Sequence, residues 1–196
     1  MASIPDTRIS SEEYLRGERL AEEKSEYVDG YVYAMSGASV PHNYIASNLM
    51  VIIGSALKGS PCKPLGSDMR TRTPSSRFFT YPDLVIVCGQ PELHDEQKDT
   101  LLNPTVIIEI LSPSTEKWDR GGKFARYQSI PSLQDYVLVS QDIPRVERFS
   151  RNGEEWTLAN SEGLEATLRL PSVGIEISLA EIYEDVEFDP MSPPRS

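Results

Sequence analysis

Asp83, in Tyr81-Pro82-Asp83-Leu-Val-Ile-Val, and Glu109, in Pro104-Thr-Val-Ile-Ile-Glu109-Ile-Leu, each stand inside or beside a strongly apolar run. A lone carboxylate is costly to desolvate, so an acid in such a run must be paired, protonated or metal-bound. Two acids on successive strands can converge on one point, and converging hard oxygen ligands are what a magnesium ion requires. The chemistry this pattern points to is metal-assisted hydrolysis. Each acid also admits a plainer reading. Asp83 could simply open its strand beside Pro82, and Glu109 could occupy the solvated face of a half-exposed strand.

The elements that must position these acids are legible from patterning. Ser10 followed by Glu13 is a capping box opening a short helix that turns Tyr14 and Leu15 inward. Glu26-Tyr-Val-Asp-Gly-Tyr-Val-Tyr has strand-forming arms around Asp29-Gly30, a tight-turn dipeptide. Ile45, Leu49, Ile52, Ile53 and Leu57 recur at helical spacing, so 41–57 is the main core helix, ended by Gly59. Strands are predicted over 63–73, 79–88 and 105–111, with 90–100 as a polar loop that includes His94. A helix is predicted over 119–129, with Asp119 as its N-cap and Pro131 after it as the stop. Strands over 135–140 and 145–151 follow, around a turn at 142–144. The tail 189–196, with three prolines, is expected to be disordered. This order predicts an α/β chain, with a mixed sheet flanked by helices and one domain over 1–188.

The 196 residues suffice for a substantial core without staples. Cys62 and Cys88 have no CxxC spacing and the chain has two histidines, so neither a zinc site nor a disulfide framework is predicted. Both cysteines read as small buried apolar residues. No apolar run approaches the length of a membrane span, and the expected location is the cytoplasm. The net charge of −11 argues against a nucleic-acid partner until its distribution is considered. Segment 153–189 carries ten acids and one base. The rest is nearly balanced, with Lys117, Arg120, Lys123 and Arg126 clustered after Glu109 and Arg70, Arg72 and Arg77 before Asp83. A local basic face on an acidic protein and a set of scattered surface bases are both compatible with that distribution.

The run from Tyr81-Pro82-Asp83 through Asn103-Pro104, Glu109-Ile-Leu-Ser-Pro-Ser-Thr-Glu116, Asp119-Arg-Gly-Gly-Lys123-Phe, Tyr127 and Pro131-Ser-Leu-Gln-Asp-Tyr136 resembles the Uma-two family of restriction-endonuclease-like proteins, a branch of the PD-(D/E)XK nuclease superfamily. Glu26-Tyr-Val-Asp-Gly and His42 also match, and the resemblance extends to about residue 179. It implies a restriction-endonuclease-like core with metal-binding acids at the ends of adjacent strands. One departure is visible. Leu111 stands where the superfamily places a lysine, two residues after the second acid. The resemblance implies that the lysine has moved to the following helix as Lys123, with Lys117 as the competitor.

The resulting expectation is a magnesium-dependent endonuclease, with manganese as a substitute, hydrolysing DNA phosphodiester bonds. Asp83 and Glu109 hold the metal, Glu26 assists directly or through water, and Lys123 orients the attacking water and stabilises the oxyanion. Tyr127 is assigned to packing and Asp68 to the rim, while the role of His42 is left open. A homodimer is expected, since cutting two strands takes two sites. The alternative from another class is a catalytically silent nuclease-like fold serving as a DNA-binding or assembly module. A hydrolase of a smaller phosphate ester is a third reading.

Overall fold

The computed structural model describes residues 8–188, so the expected disordered tail lies outside the described residues. Helix α1 (Ser11–Glu18) opens with the predicted capping box, both reciprocal bonds being present at Ser10 and Glu13. Strands β1 (Ser25–Val28) and β2 (Tyr31–Ala34) form the predicted hairpin. Asp29 and Gly30 both take positive φ, 51° and 101°, as a two-residue turn matched to strand twist demands. Helix α2 (Val40–Ala56) buries Ile45, Leu49 and Ile53, the stripe that its spacing predicts.

Two mixed sheets carry the rest. A five-stranded sheet runs β2-β1-β5-β4-β7, where β4 is Arg70–Arg72, β5 is Phe78–Thr80 and β7 is Thr100–Leu101. A six-stranded sheet runs β11-β10-β9-β8-β6-β3. Its strands are β3 (Cys62–Gly66), β6 (Leu84–Cys88), β8 (Val106–Leu111), β9 (Asp135–Ser140), β10 (Arg145–Asn152) and β11 (Glu155–Glu162). Only β8 and β9 in this sheet pair in parallel. Parallel neighbours need a crossover, and here it is helical: α3 (Glu116–Trp118), a π turn (Asp119–Lys123) and α4 (Phe124–Tyr127). That crossover brings Lys123 back to the strand that bears Glu109.

Strand β8 is buried along its whole length. Val106, Ile108 and Ile110 share a cluster with Ile45, Leu49 and Ile53 of α2. Ile107 and Leu111 share the opposite one with Phe78, Tyr127 and Leu138. The side-chain alternation of a strand then puts Glu109 among residues of the second cluster rather than in solvent.

Three expectations are corrected. The segment 63–73 is two strands in two sheets, because the chain leaves the edge at Gly66 and re-enters as β4. The helix expected from 119 begins at Glu116, so Asp119 lies inside it and is no N-cap. Cys62 and Cys88 are joined in a disulfide; the β3–β6 register sets them opposite each other across 26 residues, and register is not visible in cysteine spacing. The acidic segment after 152 is built from regular elements. It forms β11, the hairpin β12 (Thr167–Leu170) and β13 (Ile175–Ser178), and a last turn α5 (Leu179–Ile182). Leu168, Leu170, Ile177 and Leu179 join the α2 cluster. Among the described residues no helix is long and apolar enough to cross a membrane.

Candidate active site

Asp83 sits immediately before β6, whose pairing with β8 runs Leu84 to Ile108 and Val85 to Ile107. Continued by one residue, that antiparallel register sets Asp83 opposite Glu109. Because β6 stops there while β8 runs on to Leu111, the amide of Ile110 has no partner from β6. Asp83 Oδ2 accepts it at 2.6 Å, so the carboxylate takes the place of the missing ladder bond. His42, in the first turn of α2, brings Nε2 to 3.2 Å from Asp83 Oδ1.

Glu109 is 4 % exposed. Its Oε1 accepts from Lys123 Nζ at 3.2 Å and from the Tyr127 hydroxyl at 3.0 Å. Lys123 Nζ also lies 3.0 Å from Glu26 Oε1 and 3.3 Å from Asp119 Oδ1. Thr80 Oγ1 donates to Glu26 Oε1 at 2.5 Å, and the Tyr136 hydroxyl fixes the π turn by donating to the Asp119 carbonyl at 3.0 Å. One ammonium therefore meets three carboxylates, with a fourth, Asp83, across the strand. Burial pushes the Glu109 carboxyl well above the usual range, against the counter-pull of the Lys123 ammonium. Burial also raises Asp119. On Lys123 burial works against the charge, yet Glu109 and Glu26 outweigh it and hold the ammonium well above the ordinary lysine value.

The π turn has a local cause. A Cβ on Gly122 would lie 1.8 Å from the Trp118 ring, so only glycine lets that indole fold back over the turn, edge-on to Phe78 and beneath the Arg126 guanidinium. Gly121 has nothing within 4 Å. Of the two, Gly122 alone accommodates Trp118. A four-residue step in an α-helix over-rotates, and the wider π turn offsets that drift. Asp119, Lys123 and Tyr127 accordingly all stay buried on the inward side.

Glu26, Asp83, Glu109 and Lys123 line one cleft of about 1000 Å³. Asp68, expected at the rim, is not among the residues lining it; it is exposed and pairs at 2.8 Å with Lys24, which is. Lys117 is exposed and forms no ion pair among the described residues, whereas His94 stands apart, 2.6 Å from Arg72. The cluster of bases after Glu109 is no open basic face. Arg120 pairs with Glu116 and Glu147, Arg126 with Asp29, and Lys123 is buried among carboxylates. Upstream, Arg70 is buried on Asp99, Tyr81 and Thr100. Tyr127, assigned to packing from sequence, does pack on Phe78 and Tyr136, but its hydroxyl is bonded to Glu109. Asp119 and Thr80 also went unrecognised in the sequence. The four-residue spacing from Asp119 through Lys123 to Tyr127 was the available signal for the first.

Among the described residues no three His, Cys, Asp or Glu side chains form a ready metal cage. The donor chemistry nevertheless suits a divalent cation. Three acids surround one ammonium and Asp83 stands across the strand, Asp119 Oδ1 is buried with only the Lys123 ammonium beside it, and no described donor reaches Glu109 Oε2. Magnesium is commonly held by one or two carboxylates, its remaining positions being filled by water and substrate phosphate.

Residues 11–180 match the Uma2 family, described as "Putative restriction endonuclease". Two uncharacterised proteins of Synechocystis sp. are similar along nearly their full length. One, slr1290, is 35% identical over 187 residues, covering 95% of this chain and 97% of the relative. The other, sll1609, is 33% identical over 170 residues, covering 86% and 96%. A crystal structure from Anabaena variabilis, titled as a putative nuclease belonging to DUF820, superposes with a TM-score of 0.74 at 20% identity over 89% of this chain and 97% of that one, which supports the shared fold. With the family match spanning most of the chain and the fold of a nuclease-titled structure underneath it, this protein belongs to the Uma2 family of restriction-endonuclease-like proteins.

Proposed function

We propose that the protein is a divalent-metal-dependent nuclease that hydrolyses DNA phosphodiester bonds at the cleft of Asp83, Glu109 and Lys123. The observation that carries this reading is the Asp83 carboxylate held on the Ile110 amide, next to Glu109, with the Lys123 ammonium 3.2 Å from Glu109 in one cleft. Asp83 and Glu109 would hold magnesium or manganese, and Glu26 would reach it through water. Bound there, the ion would supply an activated water and charge neutralisation at the phosphate.

The chain's own residues supply orientation and charge. The Ile110 amide fixes the Asp83 carboxylate, and the Tyr127 hydroxyl fixes Glu109. Lys123, held protonated by its carboxylate neighbours, serves as a donor to developing negative charge rather than as a base. Because the nearby arginines are ion-paired, DNA is gripped chiefly at the cleft itself. A second copy of the chain would supply the second cut of a duplex.

Plasmid nicking tests the reading. It should require magnesium or manganese, stop with chelator, and be lost in Asp83→Asn and Glu109→Gln while the far-UV circular dichroism of both variants is retained. A wild type that neither cuts nor binds DNA at low salt, across varied sequences and structures, would replace this reading with that of a silent module.

A further inference from the structure

Resting on the metal-binding reading of Asp83, we infer that His42 is the positioning residue that fixes the Asp83 carboxylate for the cation. Asp83 is reached from two directions by two different elements. The Ile110 amide of β8 takes Oδ2 at 2.6 Å, and His42 Nε2 of α2 stands 3.2 Å from Oδ1. Contacts on both oxygens set the plane of the carboxylate as well as its place. The Ile110 contact also ties that plane to the strand of Glu109, the partner acid.

The histidine is held in turn. Ser39, the N-cap of α2, accepts the His42 amide on its Oγ at 3.2 Å and is hydrogen-bonded to Gln141 Oε1 at 2.5 Å. Gln141 directly follows β9, the strand beside β8. The start of α2 is therefore pinned over the end of the central sheet, and the imidazole reaches Asp83 from a fixed point. Its neighbour Pro41 further limits the backbone at the first turn.

The large majority of buried side-chain polar atoms, ring nitrogens included, have a hydrogen-bond partner. Here Nδ1 is buried and has no hydrogen-bond partner among the described residues. Leaving a buried polar atom unpaired is costly, and such an atom in a native fold calls for a reason. An apolar side chain would fill the same space without that cost, so what the imidazole contributes is Nε2 on Asp83. Partners of metal-ligating groups typically change metal affinity by about 10–100-fold when removed.

Manganese titration calorimetry on the full chain tests this without a turnover readout. His42→Ala should bind Mn²⁺ about 10–100-fold more weakly than the wild type. His42→Gln, whose amide nitrogen extends to the place of Nε2, should recover most of that loss; His42→Asn, which reaches only as far as Nδ1, should not. In an Asp83→Asn background His42→Ala should have no further effect, because the histidine acts through Asp83. Equal Mn²⁺ affinity in the wild type, His42→Asn and His42→Gln would overturn the inference and leave the metal reading standing, as would an undiminished His42→Ala effect without Asp83. A wild type that binds no Mn²⁺ would instead remove the metal reading, and this inference with it. Should His42→Ala fail to fold, the Gln and Asn pair decides alone.

Discussion

Lys123 Nζ lies 3.2 Å from Glu109 Oε1 although fourteen residues separate them, and both side chains are buried. The parallel pairing of β8 and β9 makes this possible, since it forces the chain to cross back over the sheet between the two strands. A lysine displaced from the strand thus returns to its acid through topology. The long flexible stem of lysine completes the reach.

The hydroxyl of Tyr127 is the cheapest probe of that centre. It is fully buried, donates to Glu109 Oε1, and lies 3.3 Å from Thr80 Oγ1. Tyr127→Phe removes one oxygen and keeps the ring against Phe78. Urea unfolding should show a loss of about 1.5–3 kcal/mol, the usual worth of a hydrogen bond to a charged group. An unchanged midpoint would assign Tyr127 to packing alone.

Gly121 and Gly122 are adjacent and should behave in opposite ways. Gly122→Ala drives a Cβ to 1.8 Å from the Trp118 ring, which must then leave its place on Phe78 and under Arg126. Overpacking of this kind costs about 1–3 kcal/mol or more. Gly121→Ala meets nothing and should be neutral or stabilising by up to about 1 kcal/mol, because alanine is the better helix former. Denaturant midpoints of the two variants separate the cases, and equal midpoints would show that the π turn does not depend on the indole.

Acid should loosen the contact between α1 and the 90–100 loop. Arg19 pairs with Asp95 and Asp99, each at under 3 Å, and Arg70 pairs with Asp99 at 2.8 Å. Hydrogen bonding from Arg19 is the largest cause that lowers the pKa of both carboxyls. Groups depressed in the folded state contribute stability above their unfolded value, about 4, and lose it as pH falls through the folded one. The thermal midpoint should therefore decline below about pH 4. Asp99→Asn should be less stable than the wild type at pH 7 and converge with it toward pH 2. Parallel profiles would show that Asp99 contributes nothing through its charge.

How much of this was legible in the sequence depended on range. Local signals held: the Ser10–Glu13 box, the Asp29-Gly30 turn and the Ile45–Leu49–Ile53 stripe all depend on neighbours within a few residues. Asp83 and Glu109 were legible because a charge in an apolar run is costly wherever the run ends up. Register and pairing were not. The Cys62–Cys88 link, the split of 63–73 and the return of the 153–188 segment onto α2 depend on which strands meet. Charge counting left two readings open for a related reason: Arg120 and Arg126 find acids on β10 and in the β1–β2 turn, far away in sequence. The packing of Tyr127 was legible from its spacing to Lys123, whereas its hydroxyl contact with Glu109 depends on β8 and was not.

The lysine decides the catalytic claim. Lys123→Met keeps the apolar stem and removes the ammonium, leaving Glu26, Glu109 and Asp119 without their shared counter-ion. Breaking a buried pair in this way destabilises by about 3–5 kcal/mol, so the metal-free variant should unfold at lower urea than the wild type. Manganese should still bind, because the ammonium was itself a cation in competition for the same carboxylates, and saturation with it should restore much of the lost stability. Cleavage should nonetheless fall by about 10²–10³-fold, the usual loss when one charge-stabilising donor is taken from a site. Lys117→Met, exposed and without an ion pair among the described residues, should alter only affinity for DNA and its dependence on salt. Wild-type cleavage in Lys123→Met together with a dead Lys117→Met would reverse the assignment, and full activity in both would mean that this site uses no lysine.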